Sequence, residues 1–502
     1  MRRTTKLILL GIFISALALR LYFAFQTPYF NYDAYFNIRQ ITHIRETGRP
    51  LFNDPLSYGG RSLFFMPLFH YVLAFFSLIM PLELACKLLP NIFASSLVLI
   101  MYLVSYEATK SEDASVMSSF AAGFIPVFVY RTVNSVSVYS LMIPLVFLIL
   151  YCFMKIKKPG YAQAFIFLIL SACFIHPAVF ILIAGLVTYL VLAEMDGLRI
   201  KDSELEVTIF SILLFIWLGF VLFKKPLLTH GFAIIWQNIP ESVIQGSFSR
   251  LSMIEAVYKI GIIPFLAGMY VVYHYILRER KRLVYLFASL ALVLLLSLWL
   301  KLIRLDIGLM FLGAILVFLF SQFYKIALRY LKKTRFSEQR RLLIALLVLV
   351  FLLNSVIPSV SYALKATLET PTDQGIKAMS WLRLNTNATE TVLTTVREGD
   401  LLAYAAGNRN VADSNFIQIE NINLRMDEIR IMYGSKNEVE VIRLLNKYDV
   451  KYIFFSEMAQ EEFRISEPDY AKDKQCFRLV YSHDSGPVIY KVLCRLEVQG
   501  GD

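Results

Sequence analysis

The chain has 502 residues, of which 57% are hydrophobic and 18% charged, and its net charge is +12. A soluble protein of this length carries more charge, so the composition describes a polytopic membrane protein. Its Lys and Arg residues gather in short connections between apolar runs, a pattern of membrane orientation that argues against a nucleic-acid partner.

In chain order, Arg2-Arg3 precede an apolar run from Leu7 to Phe25 that reads as a retained anchor, because it is long and lacks a small-residue cleavage site. Crossing a hydrocarbon core of ~30 Å takes about 20 apolar residues. Candidate spans, several of them short, lie at roughly 7–25, 88–108, 116–130, 139–154, 161–175, 178–193, 207–223, 260–277, 283–300, 307–323 and 342–360. The stretch from Tyr161 to Ala193 is split at His176-Pro177, since proline removes a helical donor and clashes with the preceding turn.

The apolar segment Phe64–Met80 decides the topology. If it does not cross, Lys155, Lys157, Lys158, Arg199, Lys201, the basic run 278–282 and the seven basic residues from Lys325 to Arg341 all fall on the cytoplasmic side. We therefore place 64–80 as a juxtamembrane helix and the N-terminus in the cytoplasm. Residues 26–87, 131–138 and 224–259 and the turn 301–306 then face outward. The expected fold is an all-α polytopic membrane domain over 1–365, with about 11 transmembrane helices. A small extracytoplasmic α/β domain follows over 366–502. Within it the pattern predicts helices at 373–384 and 438–447 and strands at 391–396, 451–455, 477–482 and 488–493. Cys476 and Cys494 can pair in such a compartment, whereas Cys86, Cys152 and Cys173 read as buried thiols.

The first outer loop is richer than a linker. Tyr29 to Arg61 carries Asp33, Arg39, His43, Arg45, Glu46, Arg49, Asp54 and Arg61 among aromatic residues. An aspartate at the membrane surface serves as a general base or as a ligand for Mg²⁺ or Mn²⁺. Asp33 sits between Tyr32 and Tyr35, aromatics suited to the headgroup level. Elsewhere, Arg20 is expected to snorkel outward from the first span, His70 to pack at the interface, and His176 to mark a hinge with substrate contact as its alternative role.

The order Asn31-Tyr-Asp33-Ala-Tyr-Phe-Asn-Ile-Arg39, then Gly-Arg-Pro, Asp54-Pro55, Gly-Gly-Arg61 and Pro67-Leu68-Phe69 resembles the first external loop of oligosaccharyltransferase catalytic subunits, the archaeal ones above all. These are GT-C membrane glycosyltransferases, which take sugars from polyprenyl phosphates or pyrophosphates. The resemblance implies that Asp33 holds the catalytic metal and contacts the acceptor. It implies that Glu241, in Asn238-Ile-Pro-Glu241, completes that site, and that Arg304, in KLIRLDIGLMF, grips the donor phosphate. Arg131, at the second loop, and Arg39 and Asp54, in the first, are further candidates. Two elements depart from the family: no acid follows Arg131 where a DxD-like pair is expected, and Thr394-Thr-Val-Arg-Glu398-Gly-Asp400 stands in place of Trp-Trp-Asp-Tyr-Gly.

The expected function is transfer of a sugar or glycan from a polyprenyl (pyro)phosphate donor to a glycan, lipid or protein acceptor at the outer face of an archaeal or bacterial plasma membrane. The alternatives are a monosaccharide transferase using a polyprenyl monophosphate and a non-catalytic paralogue that binds lipid-linked glycan.

Overall fold

The computed structural model describes residues 2–231, 239–240, 243, 248, 252–333, 340–417, 419–483 and 486–495. The chain divides into two compact units. Met1–Pro28, Phe65–Lys225 and Gln245–Leu368 form the first, and Tyr29–Phe64, Pro226–Ile244 and Glu369–Asp502 the second.

Among the described residues the first unit is built of helices. Six helices are long and apolar enough to cross a membrane, or up to eight if the bent pairs Glu112–Gly123 with Pro126–Thr132 and Met253–Ile260 with Ile262–His274 each make one span. All eleven runs named from the sequence fall on helical segments. Three of those helices, Tyr139–Met154, Tyr161–Cys173 and Val179–Met195, have 16, 13 and 17 residues, short of a full crossing by length. Leu68–Ser77 is a separate helix of 10 residues. At 1.5 Å per residue it is about 15 Å long, half a hydrocarbon core, so it does not cross alone.

The helix Leu305–Leu331 is the hub, 89% of its apolar window being buried, and it packs on Leu82–Thr109, Glu112–Gly123, Ile262–His274 and Arg282–Trp299. Arg3–Ala24 and Asp202–Lys225, at 28% and 22%, leave most of their apolar surface for lipid. Small polar residues join the helices where hydrophobic driving force between them is weak. Ser105 donates to Ser118 at 2.9 Å, and Ser118 to the Val317 carbonyl at 3.0 Å. Lys87 fixes the end of the first helix by donating to the carbonyls of Ala24 (2.6 Å) and Thr27, a cation at a helix C-terminus. Arg20 does not snorkel. It is 1% exposed, donates to the Thr132 hydroxyl at 2.8 Å and lies 5.0 Å over the Phe128 ring, because these partners meet it within the bundle. His70 is buried edge-on against Phe65 and Phe69, in agreement with packing.

The second unit holds a five-stranded sheet in the order Arg409–Asn410, Thr391–Leu393, Val450–Phe455, Val488–Val492, Phe477–Tyr481. The first three strands are parallel and the last two antiparallel. Asp373–Asn385 begins on a Thr372 cap and Glu438–Lys447 on an Asn437 cap, so local capping sets both helix starts. Cys476 and Cys494 form a disulfide beside the edge strand.

The first loop belongs to this unit and is stitched to its C-terminal residues. Arg61 donates to Asp413 at 3.0 Å, to the Ile417 carbonyl at 2.8 Å and to Ser57 at 2.7 Å, and Ser57 donates to Asp413 at 2.5 Å. The Tyr58 amide donates to Asn410 at 2.7 Å and its hydroxyl to the Asp413 carbonyl at 2.9 Å. Gly399 is required in the same region, since a Cβ there would lie 2.0 Å from the Ala412 carbonyl oxygen. Two further acids are buried nearby. Burial pushes Glu398 up to about 7 against hydrogen bonds from Ser456 and Thr395, and burial with the Asp413 charge raises Asp400.

Two stability predictions follow from these charges. Arg61→Met leaves Asp413 buried without its cation and should destabilise the second unit by roughly 3–5 kcal/mol, read as an earlier thermal transition. The raised folded-state values of Glu398 and Asp400 mean that the native state holds protons the unfolded chain has released. Stability should therefore fall as pH rises from about 4 to about 8, and Glu398→Gln should flatten its share of that slope, between about 4.5 and about 7, in melts taken across the range. An unchanged slope in Glu398→Gln would show that its carboxyl is not the group responsible.

Candidate functional site

Each unit gathers one group of candidate residues. In the second unit, Asp33 stands at the N-terminus of the helix Ala34–Thr47, which ends on the left-handed Gly48 (φ 73°) of the Gly-Arg-Pro sequence. Its carboxylate is not used as a side-chain cap, and a carboxylate at this end is favoured by the helix dipole. The tyrosines flanking it are anchored. The Arg397 guanidinium lies 5.8 Å over the Tyr32 ring, and Tyr35 packs against Tyr404 with ring centroids 5.4 Å apart. Burial, with the Glu398 charge, holds the Tyr32 hydroxyl above its ordinary value. Tyr29 donates to Asp373 at 2.8 Å. Asp33 thus sits on a rigid turn beside residues 397–404.

Arg39 and Asp54 engage one another. Arg39 donates two hydrogen bonds to Asp54, at 2.5 and 2.6 Å, and the Leu56 amide adds a third at 2.9 Å. Asp54 is 2% exposed, and this fork closes the loop between the helix and the short strand pair Asn53–Asp54 and Arg61–Ser62.

In the first unit, His176 meets Tyr139, while Arg131 and Lys259 meet Asp306, two residues after Arg304. The His176 ring accepts at Nδ1 from the Ala178 amide at 3.0 Å, so its Nε2 proton faces the Tyr139 hydroxyl at 3.1 Å. Arg131 Nε is 3.6 Å from Asp306, and Lys259 Nζ is 3.7 Å from the other oxygen of the same carboxylate. Lys259 also lies 3.5 Å from Glu255. Arg304 is exposed, immediately before the helix that Asp306 opens. Such a set of fixed cations suits a phosphate. Sequence reasoning missed Lys259 and Asp306. The spacing Arg304-Leu-Asp306 carried a signal, but nothing local linked it to residue 131 or 259.

Glu241 lies outside the described residues. The neutral oxygens of Asn134, Ser135 and Ser137 occupy the second-loop positions where acids were sought. Two carboxylates, Asp33 and Glu241, fall short of the cage of about six oxygens that Mg²⁺ or Mn²⁺ takes, so we derive no step through a metal. Among the described residues one grouping has metal-ligand spacing, Glu438, Asp473 and Cys476, and its sulfur is already in the disulfide.

No family model matches the chain. A stretch of 137 residues, 26% of the chain, is 29% identical to dolichyl-phosphooligosaccharide-protein glycotransferase 2 of Archaeoglobus fulgidus and spans 23% of that protein's length. Among solved structures, the A. fulgidus oligosaccharyltransferase tethered to an acceptor peptide with an Asn-Val-Thr sequon superposes with a TM-score of 0.71 at 14% identity. That match covers 97% of this chain and 74% of the other. ArnT from Cupriavidus metallidurans bound to undecaprenyl phosphate gives 0.56 at 10% identity, covering 96% and 97%. Other A. fulgidus oligosaccharyltransferase structures contain dolichol-phosphate with an inhibitory peptide, or zinc with sulfate. The chain has the GT-C fold of membrane glycosyltransferases and, in sequence and structure, resembles the archaeal oligosaccharyltransferases.

Proposed function

We propose that this protein is a membrane glycosyltransferase that moves a sugar or glycan from a polyprenyl phosphate or pyrophosphate to an acceptor on the outer face. The observation that supports this most is the fold agreement with the A. fulgidus oligosaccharyltransferase along 97% of the chain. In this reading the acceptor's nucleophilic atom attacks the anomeric carbon of the donor sugar as the bond from that carbon to the phosphate oxygen breaks. The acceptor proton passes to Asp33, a carboxylate held at a fixed helix start, with Glu241 assisting. Arg304, with Arg131 and Lys259, neutralises the charge that develops on the departing lipid phosphate. His176 orients Tyr139 beside these cations.

A second reading is a monosaccharide transferase using a polyprenyl monophosphate. It is favoured by the match to ArnT, which covers nearly the full length of both chains. Labelled polyprenyl monophosphate and pyrophosphate sugars, offered to the protein in lipid nanodiscs with and without Mn²⁺, separate the two donors. Asp33→Asn should lower transfer by about 10²-fold or more, the usual scale for loss of a general base. Arg304→Ala should lower kcat by about 10²–10³-fold, with a smaller change in KM. Equal background rates for wild type and Asp33→Asn would sink the catalytic reading and leave the non-catalytic paralogue.

The orientation is part of the same proposal: N-terminus cytoplasmic, Lys155–Lys158 cytoplasmic, and residues 366–502 outside as a separate soluble domain. A tag inserted at Lys157 and one at the C-terminus should report opposite sides of the membrane in accessibility labelling. The same side for both would reverse the assignment of 64–80.

A further inference from the structure

The sheet of the second unit has a switch point. Thr391–Leu393 and Val450–Phe455 lie side by side and parallel. From the first strand the chain runs through the helix Gly399–Ala405 to Arg409–Asn410 on one side. From the second it runs through Glu457–Phe463 to Phe477–Tyr481 and back to Val488–Val492 on the other. Connections that diverge in this way open a crevice at the carboxyl ends of the two strands, where open α/β sheets bind ligands.

Thr395, Arg397 and Glu398 follow the first strand at this crevice, and Ser456 follows the second. The Glu398 carboxyl accepts from the Thr395 hydroxyl at 2.7 Å and bonds the Ser456 hydroxyl, which ties the two outgoing loops together. Arg397 is exposed above this tie. Its guanidinium stacks over Tyr32, and among the described residues no hydrogen-bond or ion-pair partner takes up its fork of donors. Burial keeps Glu398 protonated up to about pH 7, so the floor of the crevice does not cancel the positive charge. Three residues beyond Tyr32, the buried Tyr35 packs against Tyr404, which is 37% exposed and offers a partly open aromatic face on the helix that follows Arg397.

We propose that this crevice is an acceptor-binding site for an acidic sugar, whose carboxylate meets Arg397 and whose ring lies toward the open face of Tyr404. A planar guanidinium backed by an aromatic ring matches a carboxylate bidentately, and the apolar C–H face of a pyranose packs on aromatic rings. The role as acceptor site rests on the glycosyltransferase reading above, whereas the binding itself does not.

The test measures binding by saturation-transfer NMR on the full chain in nanodiscs, without any donor. The probes are methyl β-glucuronide, methyl β-glucoside, inorganic phosphate and the dipeptide Asp-Gly. The glucuronide should bind at least about 10-fold more tightly than the glucoside, since a charge-assisted pair is lost with the carboxylate. Arg397→Ala should remove that preference with an unchanged melting transition, and Arg397→Lys should keep part of it. Equal glucuronide binding by wild type and Arg397→Ala overturns the proposal. So does preference for phosphate, which would assign the crevice to lipid headgroups, or for the dipeptide, which would assign it to protein. A protein that transfers sugar but does not bind glucuronide overturns this inference alone. One that binds glucuronide but transfers nothing overturns the catalytic reading alone.

Discussion

The buried pair of Arg61 and Asp413 is the contact on which the second unit depends. It joins residues 352 positions apart in the chain, and both side chains are almost wholly withdrawn from solvent, at 6% and 2% exposure. Two desolvated charges repay their cost only when every remaining donor and acceptor is satisfied. Here Ser57, the Ile417 carbonyl and the Asn415 amide complete the set. Because the first loop is held in this way, Asp33 is carried by the same compact unit as Arg397. A loop tethered only to its two flanking helices would leave a base at position 33 to wander by more than the fraction of an ångström that catalysis tolerates.

Much of this was legible in the sequence wherever one local rule decides. The helix 373–384 was readable because a capping Thr372 precedes it, and 438–447 because Asn437 does. The strand Val450–Phe455 declared itself by its run of β-branched and aromatic residues. Their sharing the polar tail left Cys476 and Cys494 able to pair, and the structure joins them. What stayed hidden depends on partners far away in the chain. The two-residue strand Arg409–Asn410 exists only because Thr391 and Val392 pair with it. Arg20 read as a residue that needs water, since no pattern within its own helix shows that Thr132 and Phe128 come close enough to keep it buried. Arg39 and Asp54 stand out as separate site candidates, and their spacing of 15 residues gives no hint that each takes up the other.

The same limit applies to the cations of the first unit. Arg304 was singled out by resemblance and Arg131 by its place after a span. Lys259, at the start of an apolar run, looked like an ordinary boundary residue. Packing of Met253–Ile260 against Leu305–Lys333 brings Lys259 to Asp306, and Asp306 is shared with Arg131. One carboxylate therefore fixes two cations, while Arg304 stands two residues before it.

That arrangement bears on the missing acids at 134–137. A departing phosphate must be met by positive charge that is already in place, because charge that has to move during the reaction costs free energy at the transition state. Two supplies exist in principle, a metal ion caged by acids or guanidinium and ammonium groups held by packing. Arg131, Lys259 and Arg304 against Asp306 and Glu255 leave net positive charge of the second kind in this unit. Asp306 acts as the spacer that keeps Arg131 and Lys259 from repelling one another apart, so its removal should scatter them rather than strengthen the field. On the proposed reading, the loss of the second acidic motif removes metal ligands without removing charge for the leaving group. The demand on Asp33 then narrows to taking the acceptor's proton, which a single carboxylate at a helix start can meet.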